Sequence, residues 1–368
     1  MKYRGKFLAA GAFALCLSAQ SAEVIVGQAA PLSGLEANQG RAYSAGMQLC
    51  FSASNKSGGV NGHTFTLVRK DDGGKPAETL AATRQLLAES RPVVLAGYFG
   101  NRNIDGLVAS GVLGTEKISL VGYRVSEVRT DTPQVFSVRA GLREEVNKFA
   151  EHVSTIGMTR LALVYEDSPN TPALVAALDE AAERNRAKVV ARVSSARMGE
   201  AIAAVQAANP QAILIVTSAS ATAAFIEQYR GGGGGAQLFA QSGADIEQLA
   251  KRLGEEQMQG VAIMQVTPSP YLIRTRLAKE LTDAIAAAKG LEVPVSYTMM
   301  EGFIACKVIV EAVRRQGPRV TREGMASALA SMSSYDLGGY VIGYKPGSRA
   351  GSRLVELSII SSDGKIRQ

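Results

Sequence analysis

Few residues in this sequence occur in the patterns that catalysis requires. The 368 residues include only two histidines, His63 and His152, and neither stands at a spacing that holds a metal ion. HExxH, CxxC, GxSxG and GxxxxGK motifs are absent from the sequence. Asp71 and Asp72 end a predicted strand and could form an acid–base pair, but a turn with solvated acids is the favoured interpretation. We therefore expect a protein that is not an enzyme and that carries no cofactor.

Polar side chains instead gather where predicted strands end. Open parallel sheets bind ligands outside the carboxyl ends of their strands, where helix N-termini offer unpaired N–H groups to anions. Residues at these ends, together with two residues one turn apart on a late helix, form the candidate ligand-binding set: Ser33, Gln39, Asn101, Arg102, Asn103, Tyr123, Arg124, Ser126, Asn170, Ser218, Gln241, Ser242, Tyr297 and Glu301. No catalytic or metal-binding residue is predicted.

Each candidate also has a purely structural interpretation, which stays open. Arg102 and Arg124 are either surface arginines or bidentate partners of a ligand carboxylate. Ser33 and Ser126 either cap helices or contact the ligand, and the asparagines equally suit turns. The two late-helix residues face either the core or the ligand. Tyr123 is expected to stack on the ligand, with its hydroxyl hydrogen-bonded elsewhere.

The elements that would position these residues alternate along the chain. Nine short apolar runs predict β-strands: 23–29, 64–70, 93–98, 118–121, 161–165, 189–193, 212–217, 238–241 and 261–265. Between them lie segments with apolar residues at three- and four-residue spacing, as helices packed on a sheet have: 41–57, 76–88, 143–156, 171–186, 200–208 and 221–229. This alternation predicts an α/β fold with parallel sheets.

The alternation restarts near residue 140 and changes again after residue 265. Three helices then follow in succession, at 271–289, 297–315 and 322–332, and two terminal β runs come last, at 340–343 and 354–360. The economical interpretation is two doubly wound parallel-sheet lobes joined by several crossovers. We assign residues 23–140 and 267–341 to the first lobe and residues 141–266 and 342–368 to the second.

The N-terminus has the form of a secretory signal peptide. Lys2, Arg4 and Lys6 precede the eleven apolar residues 7–17 and a small-residue stretch that ends at Ala22. We expect residues 1–22 to be cleaved and the mature protein to be exported to the periplasm. Without the three leader cations the 40 basic and 33 acidic residues become 37 and 33, a formal charge of +4, which argues against a nucleic-acid partner.

The mature chain keeps two cysteines, Cys50 and Cys306. Each lies inside an apolar helical stretch, which favours buried free thiols over a disulfide. Pairing stays open, because sequence alone cannot establish the geometry that a disulfide needs.

Several motifs together resemble a known family. Residues 23–34 (EVIVGQAAPLSG), the GGVNG segment at 58–62, the VVLAGYF strand at 93–99, the VFSVR segment at 135–139 and EGFIA at 301–305 are similar in order and spacing to periplasmic branched-chain amino-acid-binding proteins. The resemblance covers essentially the whole mature chain. It implies a type I periplasmic binding fold, with two lobes, three crossovers and a ligand cleft at the hinge. It also implies that the protein delivers its ligand to the membrane permease of an ABC importer. We expect the protein to be a monomer.

The resemblance further implies how a ligand is held. In the family, loops matching 101–103 and 123–126 hold a ligand carboxylate with hydroxyls and amides, and an acid in the loop matching 242–243 accepts an ammonium. Here Arg102 and Arg124 stand in the first two loops, and the third lacks the acid. These changes favour a small organic carboxylate, although an amino-acid-like solute stays open if Asp245 or Glu301 reaches the ligand. The alternative functions are a flytrap ligand sensor and, less favoured, a secreted hydrolase.

Overall fold

Short apolar runs alternate with amphipathic helices in the computed structural model, which describes residues 22–125, 132–345, 347, 349–361 and 366–367. The predicted signal peptide, up to residue 21, and the candidate Ser126 lie outside the described residues. The first part of the chain forms β1 (Ala22–Ala30), α1 (Ala37–Lys56), β2 (His63–Asp71), α2 (Pro76–Glu89), β3 (Val94–Phe99), α3 (Asn101–Ala109), α4 (Val112–Thr115), β4 (Ser119–Arg124) and β5 (Val135–Phe136).

These first five strands make one parallel sheet in the order β2-β1-β3-β4-β5. Every residue of β3 and β4 is buried, as expected for central strands that helices cover on both faces. Because all five strands run in the same direction, their carboxyl ends share one edge of the sheet. Arg124 is the last residue of β4 and therefore stands on that edge.

A second sheet follows. Its elements are α5 (Leu142–Thr155), β6 (Arg160–Tyr165), α6 (Thr171–Arg184), β7 (Lys188–Ser194), α7 (Met198–Ala208), β8 (Ala212–Val216), α8 (Ala219–Gly231), β9 (Gln237–Ala240), α9 (Ile246–Arg252), α10 (Glu255–Met258) and β10 (Ala262–Gln265). The last part of the chain forms α11 (Arg276–Ala286), α12 (Tyr297–Gln316), α13 (Arg322–Ala330), β11 (Tyr335–Asp336), β12 (Val341–Ile342), β13 (Glu356–Ile360) and β14 (Ile366–Arg367).

The second sheet has the order β14-β13-β10-β9-β8-β6-β7. Strands β6 to β10 are parallel, and β13 and β14 add antiparallel strands at one edge. We call the first sheet with its helices lobe 1 and the second sheet with its helices lobe 2. The chain passes between them after β5, after β10 and after β12, so three connections join the lobes.

Helix α12 completes the core of lobe 1. Its apolar residues join those of α1, α11 and α13 in one buried cluster with β1, β3 and β4. Its first residue, Tyr297, instead belongs to a cluster of lobe 2. Helix α12 thus lies on lobe 1 and begins at the boundary with lobe 2.

Two glycines let α1 and α12 pack with their backbones in contact. A Cβ on Gly46 would lie 1.9 Å from the Met299 carbonyl oxygen, and one on Gly302 would lie 2.1 Å from the Tyr43 carbonyl oxygen. Real Cβ atoms cannot approach a backbone oxygen so closely, so both positions exclude any larger residue. The two helices are therefore close enough for short side chains to meet.

Cys50 of α1 and Cys306 of α12 form a disulfide, with their Cα atoms 6.0 Å apart. The expectation of two free thiols is therefore wrong. Both cysteines do lie in apolar helical stretches, but the close packing of α1 on α12 brings their side chains together. The two cysteines are 256 residues apart in the sequence, so no local sequence pattern indicates this contact.

One predicted helix is shorter than its pattern suggested. We predict a helix over 271–289, whereas α11 covers Arg276–Ala286. Thr275 caps it by accepting a hydrogen bond from the Ala278 N–H at 3.1 Å. The preceding Tyr271 is in a loop, where its hydroxyl donates to Glu247 at 2.7 Å. A tertiary contact thus holds these residues outside the helix.

Replacing Gly302 with Ala tests the contact between α1 and α12. We expect a loss of at least about 2 kcal/mol in the free energy of unfolding, because the new methyl group meets a backbone oxygen that no rotamer change can move. Gly199→Ala in α7 is the matched control, since its Cβ would meet nothing within 4 Å and helix propensity favours Ala by up to about 1 kcal/mol. Urea denaturation of both variants gives the comparison. Equal stability of the two would contradict the close helix packing.

Candidate functional site

Arg124 is the centre of a buried polar cluster between the lobes. Only 7% of the residue is exposed, and its guanidinium contacts three other segments. Nη1 pairs with Glu301 Oε2 at 2.7 Å, Nε donates to Gln39 Oε1 at 3.2 Å, and Nη2 donates to the Ser242 carbonyl at 3.1 Å. Gln39 and Glu301 belong to lobe 1, whereas Ser242 follows β9 in lobe 2. One side chain therefore joins the strand ends of both sheets.

A second arginine, Arg139, extends the cluster along the first connection between the lobes. It is 1% exposed, and its Nη2 contacts Ser242 Oγ and lies 3.5 Å from Glu145 Oε1. Its Nη1 lies 3.8 Å from Glu301 Oε2. Glu145 of α5 in turn accepts hydrogen bonds from the Ser242 N–H and Oγ–H, both at 2.7 Å. Two guanidinium groups and two carboxylates thus neutralise one another where the lobes meet.

Two further acids stand beside this network. The Asp245 carboxylate accepts from Thr298 Oγ1 at 3.2 Å and from the Gln248 N–H at 3.1 Å. Glu247 accepts from the Tyr271 hydroxyl at 2.7 Å and from the Tyr297 N–H at 2.8 Å. The negative charges of both acids act on Arg124. Counted with the network, two arginines face four carboxyl groups.

The pKa values of Arg124, Glu145 and Glu247 depend on two opposing effects, burial and the charges nearby. Burial acts to lower the pKa of Arg124, but Glu301, Asp245 and Glu247 outweigh it, so that the pKa is raised. Burial raises the pKa of Glu145, although Arg139 and the hydrogen bonds from Ser242 oppose the shift. Burial, and then the charge of Asp245, raises the pKa of Glu247 to about 7. The pKa shift of Arg124 therefore favours its charged form, and Glu247 titrates near neutral pH.

Three buried polar atoms at the centre of the network have no hydrogen-bond partner among the described residues: Tyr43 Oη, Arg139 Nη1 and Glu301 Oε1. The charges of Glu301, Arg124 and Arg139 all act on the Tyr43 hydroxyl, so these groups share one neighbourhood. Unpartnered buried polar atoms are rare in folded proteins. These three atoms are accordingly available to a polar ligand or to ordered water.

The structure brings together four of the predicted site residues: Gln39, Arg124, Ser242 and Glu301. Tyr297 is linked to the same region through Glu247, and its hydroxyl lies 2.9 Å from Ser358 Oγ. Sequence reasoning did not include Arg139, Glu145 or Glu247 in the site. For Arg139, the sequence feature that could have identified it is a cation inside the otherwise uncharged segment 135–142.

The other described candidates differ in their burial and in their partners. Ser33, Asn101, Arg102 and Asn170 are exposed, at the loop after β1 and at the beginnings of α3 and α6. Asn103 is buried beside Gly100, and Tyr123 is fully buried in an apolar cluster with residues of β3 and α3. The last two bind within lobe 2: Ser218 donates to Glu166 at 2.6 Å, and Gln241 donates to the Thr217 carbonyl at 3.3 Å.

A groove of about 990 Å³ lies elsewhere, on lobe 1. Residues of α1, α11 and α12 line it, including Cys50 and Phe303, and Glu280 and Lys307 pair in its wall. It contains none of the candidate site residues and no strand end at the lobe boundary. We therefore place the candidate site at the charged cluster between the lobes and not in this groove.

The described residues include no group of histidine, cysteine and acidic side chains placed to hold a metal ion. Within the same ranges, no helix has both the length and the apolar character needed to cross a membrane.

The protein has two sheets whose carboxyl ends face each other, three connections between the lobes, and a polar cluster at the lobe boundary. These features define a two-lobed solute-binding protein of the type I periplasmic class. The chain belongs to the periplasmic binding protein family, whose model matches residues 23–354. The family and the fold class predicted from the sequence are thereby confirmed. Proteins of this family bind solutes.

Among solved structures, a substrate-binding periplasmic protein from Ralstonia solanacearum is 33% identical, with a TM-score of 0.85 over 94% of this chain and 99% of that one. A possible leucine/isoleucine/valine-binding protein from Rhodopirellula baltica has the same fold, with 20% identity and a TM-score of 0.84 over 96% and 98% of the two chains.

A curated relative, Leu/Ile/Val-binding protein homolog 3 from Brucella melitensis, is 31% identical over 110 residues, which are 29% of this chain and 27% of the relative. An amino acid binding protein from Pseudomonas aeruginosa is 31% identical over 78 residues, 21% of each chain. The matched segments thus span about a quarter or less of these curated relatives.

Glu301→Gln tests the compensation of charge in the network. Removing one partner of a buried ion pair costs about 3–5 kcal/mol, because the other charge stays buried without compensation, and Glu301 faces two guanidinium groups. Chemical denaturation should show a loss of at least about 3 kcal/mol. The control Glu180→Gln removes a carboxylate that pairs with Arg143 and Arg184 on the surface and should change stability by less than about 1 kcal/mol. Similar stabilities of the two variants would refute the network's role.

Glu247→Gln tests the titration of Glu247. An unfolded glutamate has a pKa near 4.3, so between about pH 4.5 and pH 7 the folded protein holds a proton that the unfolded chain has released. The stability that this proton contributes is lost as the pH rises through 7. From pH 5 to pH 8 the wild type should therefore lose about 2 kcal/mol relative to Glu247→Gln, measured by urea denaturation. The surface control Glu255→Gln should follow the wild type. A difference between wild type and Glu247→Gln that does not change with pH would contradict this assignment.

Proposed function

We propose that the protein is the periplasmic substrate-binding component of an ABC importer. It binds a small organic carboxylate or an amino-acid-like solute between its two lobes, performs no catalysis, and delivers the solute to a membrane permease. The observation that carries this proposal is the buried charged network in which Arg124 of lobe 1 contacts Ser242 of lobe 2. It lies where parallel sheets bind ligands, outside the carboxyl ends of their strands.

The relatives support this assignment. The Ralstonia protein, which is 33% identical over nearly the whole chain, is a substrate-binding periplasmic protein. The Brucella and Pseudomonas relatives are named as a Leu/Ile/Val-binding protein homolog and an amino acid binding protein. The N-terminal segment 1–22 has the composition of a cleaved signal peptide, which agrees with a periplasmic location.

The network also suits a protein that opens and closes. Contacts from Arg124 and Arg139 to Ser242 hold the strand ends of the two lobes together. Hinge closure around a ligand breaks and remakes such contacts as rigid bodies move. A ligand that binds the closed form better shifts the equilibrium toward it.

Native mass spectrometry of the protein purified from the periplasm, followed by small-angle scattering with and without the ligand so identified, tests the proposed function. We expect a small solute in a one-to-one complex, and a smaller radius of gyration when it is bound. Absence of any bound solute, together with no stabilisation by amino acids or organic acids in a thermal-shift screen, would overturn the proposal.

Arg124→Lys tests the role of the network in binding. Lysine keeps the charge, but one ammonium cannot replace the planar fork that contacts Glu301, Gln39 and Ser242 at once. Calorimetry with the identified solute should show binding weakened at least about tenfold, which is about 1.4 kcal/mol. Arg197→Lys is the control, because that arginine pairs with Glu200 on the surface of lobe 2 and should leave affinity unchanged. Equal affinities of the two variants would contradict a binding site at Arg124.

A further inference from the structure

The hydroxyl of Tyr340 links the connections between the lobes. Tyr340 directly precedes β12, the strand that leads into the third connection, and its ring is buried in the core of lobe 1. Its hydroxyl lies 2.7 Å from the carbonyl oxygen of Val138 in the first connection and 2.9 Å from that of Val266 in the second. One side chain of lobe 1 therefore contacts two of the three connections and stands just before the other.

The two contacts depend on each other. A tyrosine hydroxyl has one proton to donate, so the carbonyl oxygens of Val138 and Val266 share it. Two oxygens that both contact the same hydroxyl must also stay close to each other. The backbones of the first and second connections are therefore fixed relative to each other at this point.

The third connection is held against the first by separate contacts. The Tyr344 hydroxyl donates to the Ser137 carbonyl at 2.9 Å, and the Ser137 N–H donates to the Arg349 carbonyl, also at 2.9 Å. Gly351 packs so closely that a Cβ there would lie 2.2 Å from the Ser137 carbonyl oxygen. Loss of one of these contacts leaves the others in place, whereas Tyr340 links the first and second connections through one hydroxyl.

Both carbonyls adjoin segments that support the charged network. Val138 directly precedes Arg139, whose guanidinium contacts Ser242 Oγ of lobe 2. Val266 directly follows β10, which pairs with β9, the strand that precedes Ser242. The hydroxyl between the two carbonyls thus joins the segments on the two sides of the contact between Arg139 and Ser242.

We propose that Tyr340 is a positioning residue for solute binding. Its hydroxyl makes the first and second connections move as one hinge, so that Arg139 meets Ser242 in the same geometry each time the lobes close. Domains rotate about a few residues of their connections, and a common attachment point reduces the number of directions in which they can turn. The inference rests on the proposed function and adds a residue that acts through the connections and not on the solute.

Tyr340→Phe tests this role, with Tyr344→Phe as the matched control. Each change removes one buried hydroxyl that donates to the backbone of a connection, and each keeps the ring. Both variants should unfold at lower urea concentrations than the wild type, because carbonyl oxygens lose a donor. If the role of Tyr340 were purely structural, the two variants would not differ in any other property.

Pulsed electron paramagnetic resonance measures the hinge without any solute. Spin labels are attached at two exposed positions, Ala81→Cys in α2 of lobe 1 and Ala173→Cys in α6 of lobe 2, while the native disulfide stays oxidised. With Tyr340→Phe we expect a distance distribution at least about 1.5 times as broad as in the wild type, because the two connections then bend independently. With Tyr344→Phe the distribution should keep its wild-type width.

Affinity gives a second measurement. The probes are the common L-amino acids and their 2-oxo acids, and the one that raises the melting temperature of the wild type most is used in calorimetry. Tyr340→Phe should bind this compound at least about fivefold more weakly, the equivalent of one ordinary hydrogen bond, because closure must then restrict the added motion. Tyr344→Phe should bind it within about twofold of the wild type.

The outcomes distinguish this inference from the proposed function. Equal widths or equal affinities of Tyr340→Phe and Tyr344→Phe would overturn the positioning role and leave the receptor function in place. A Tyr340→Phe chain that does not fold would overturn it too, since the hydroxyl would then serve the whole fold. If no probe binds the wild type and no solute co-purifies with it, the receptor function itself fails, and the role of Tyr340 in binding fails with it.

Discussion

Burial of two guanidinium groups between the lobes is the constraint on which the site depends. Moving a charged group from water to a protein interior costs several kcal/mol, and this cost is offset only by well-placed opposite charges and hydrogen bonds. Arg124 and Arg139 meet this requirement with groups from both lobes: Gln39 and Glu301 from lobe 1, and Ser242 with Glu145 from lobe 2. Neither lobe alone supplies the full set, so the network forms only when the strand ends of the two sheets face each other.

The elements that position these groups explain why so few residues define the site. Parallel strands place their carboxyl ends on one edge, which puts Arg124 at the end of β4 and Ser242 after β9 on facing edges. Helix α12 carries Glu301 to the same place because Gly46 and Gly302 let it lie directly on α1. The disulfide between Cys50 and Cys306 links the same two helices about one turn beyond these glycines.

Much of this arrangement could be predicted from the sequence, because apolar runs such as Ala212–Val216 identify buried strands, and residues after such strands share one edge. That rule brought Gln39, Arg124 and Ser242 into the candidate set, whereas Glu301 entered it as a residue of a late helix. It could not identify Arg139 or Glu145, which follow no central strand and meet only through tertiary packing. Nor could it pair the two cysteines, since their contact depends on a helix crossing between segments more than 250 residues apart.

The sequence also favoured an anionic ligand, because it contained Arg124 at a strand end and no acid at the position expected from the resemblance. In the structure, Arg124 already contacts Glu301, Gln39 and Ser242, and four carboxyl groups stand around the two arginines. Asp245 and Glu247 reach the cluster from a turn just beyond the expected position. The charge of the whole cluster, and not that of one arginine, is therefore the better guide to the ligand.

The most direct test of the account is a crystal structure of the protein with the solute that co-purifies with it. The account predicts the solute between the lobes, enclosed by the segments after β4 and β9, with a polar atom in hydrogen-bonding distance of the Arg124, Glu301, Asp245 and Glu247 cluster. A solute bound instead in the lobe 1 groove between α1, α11 and α12, with the cluster unchanged, would contradict it.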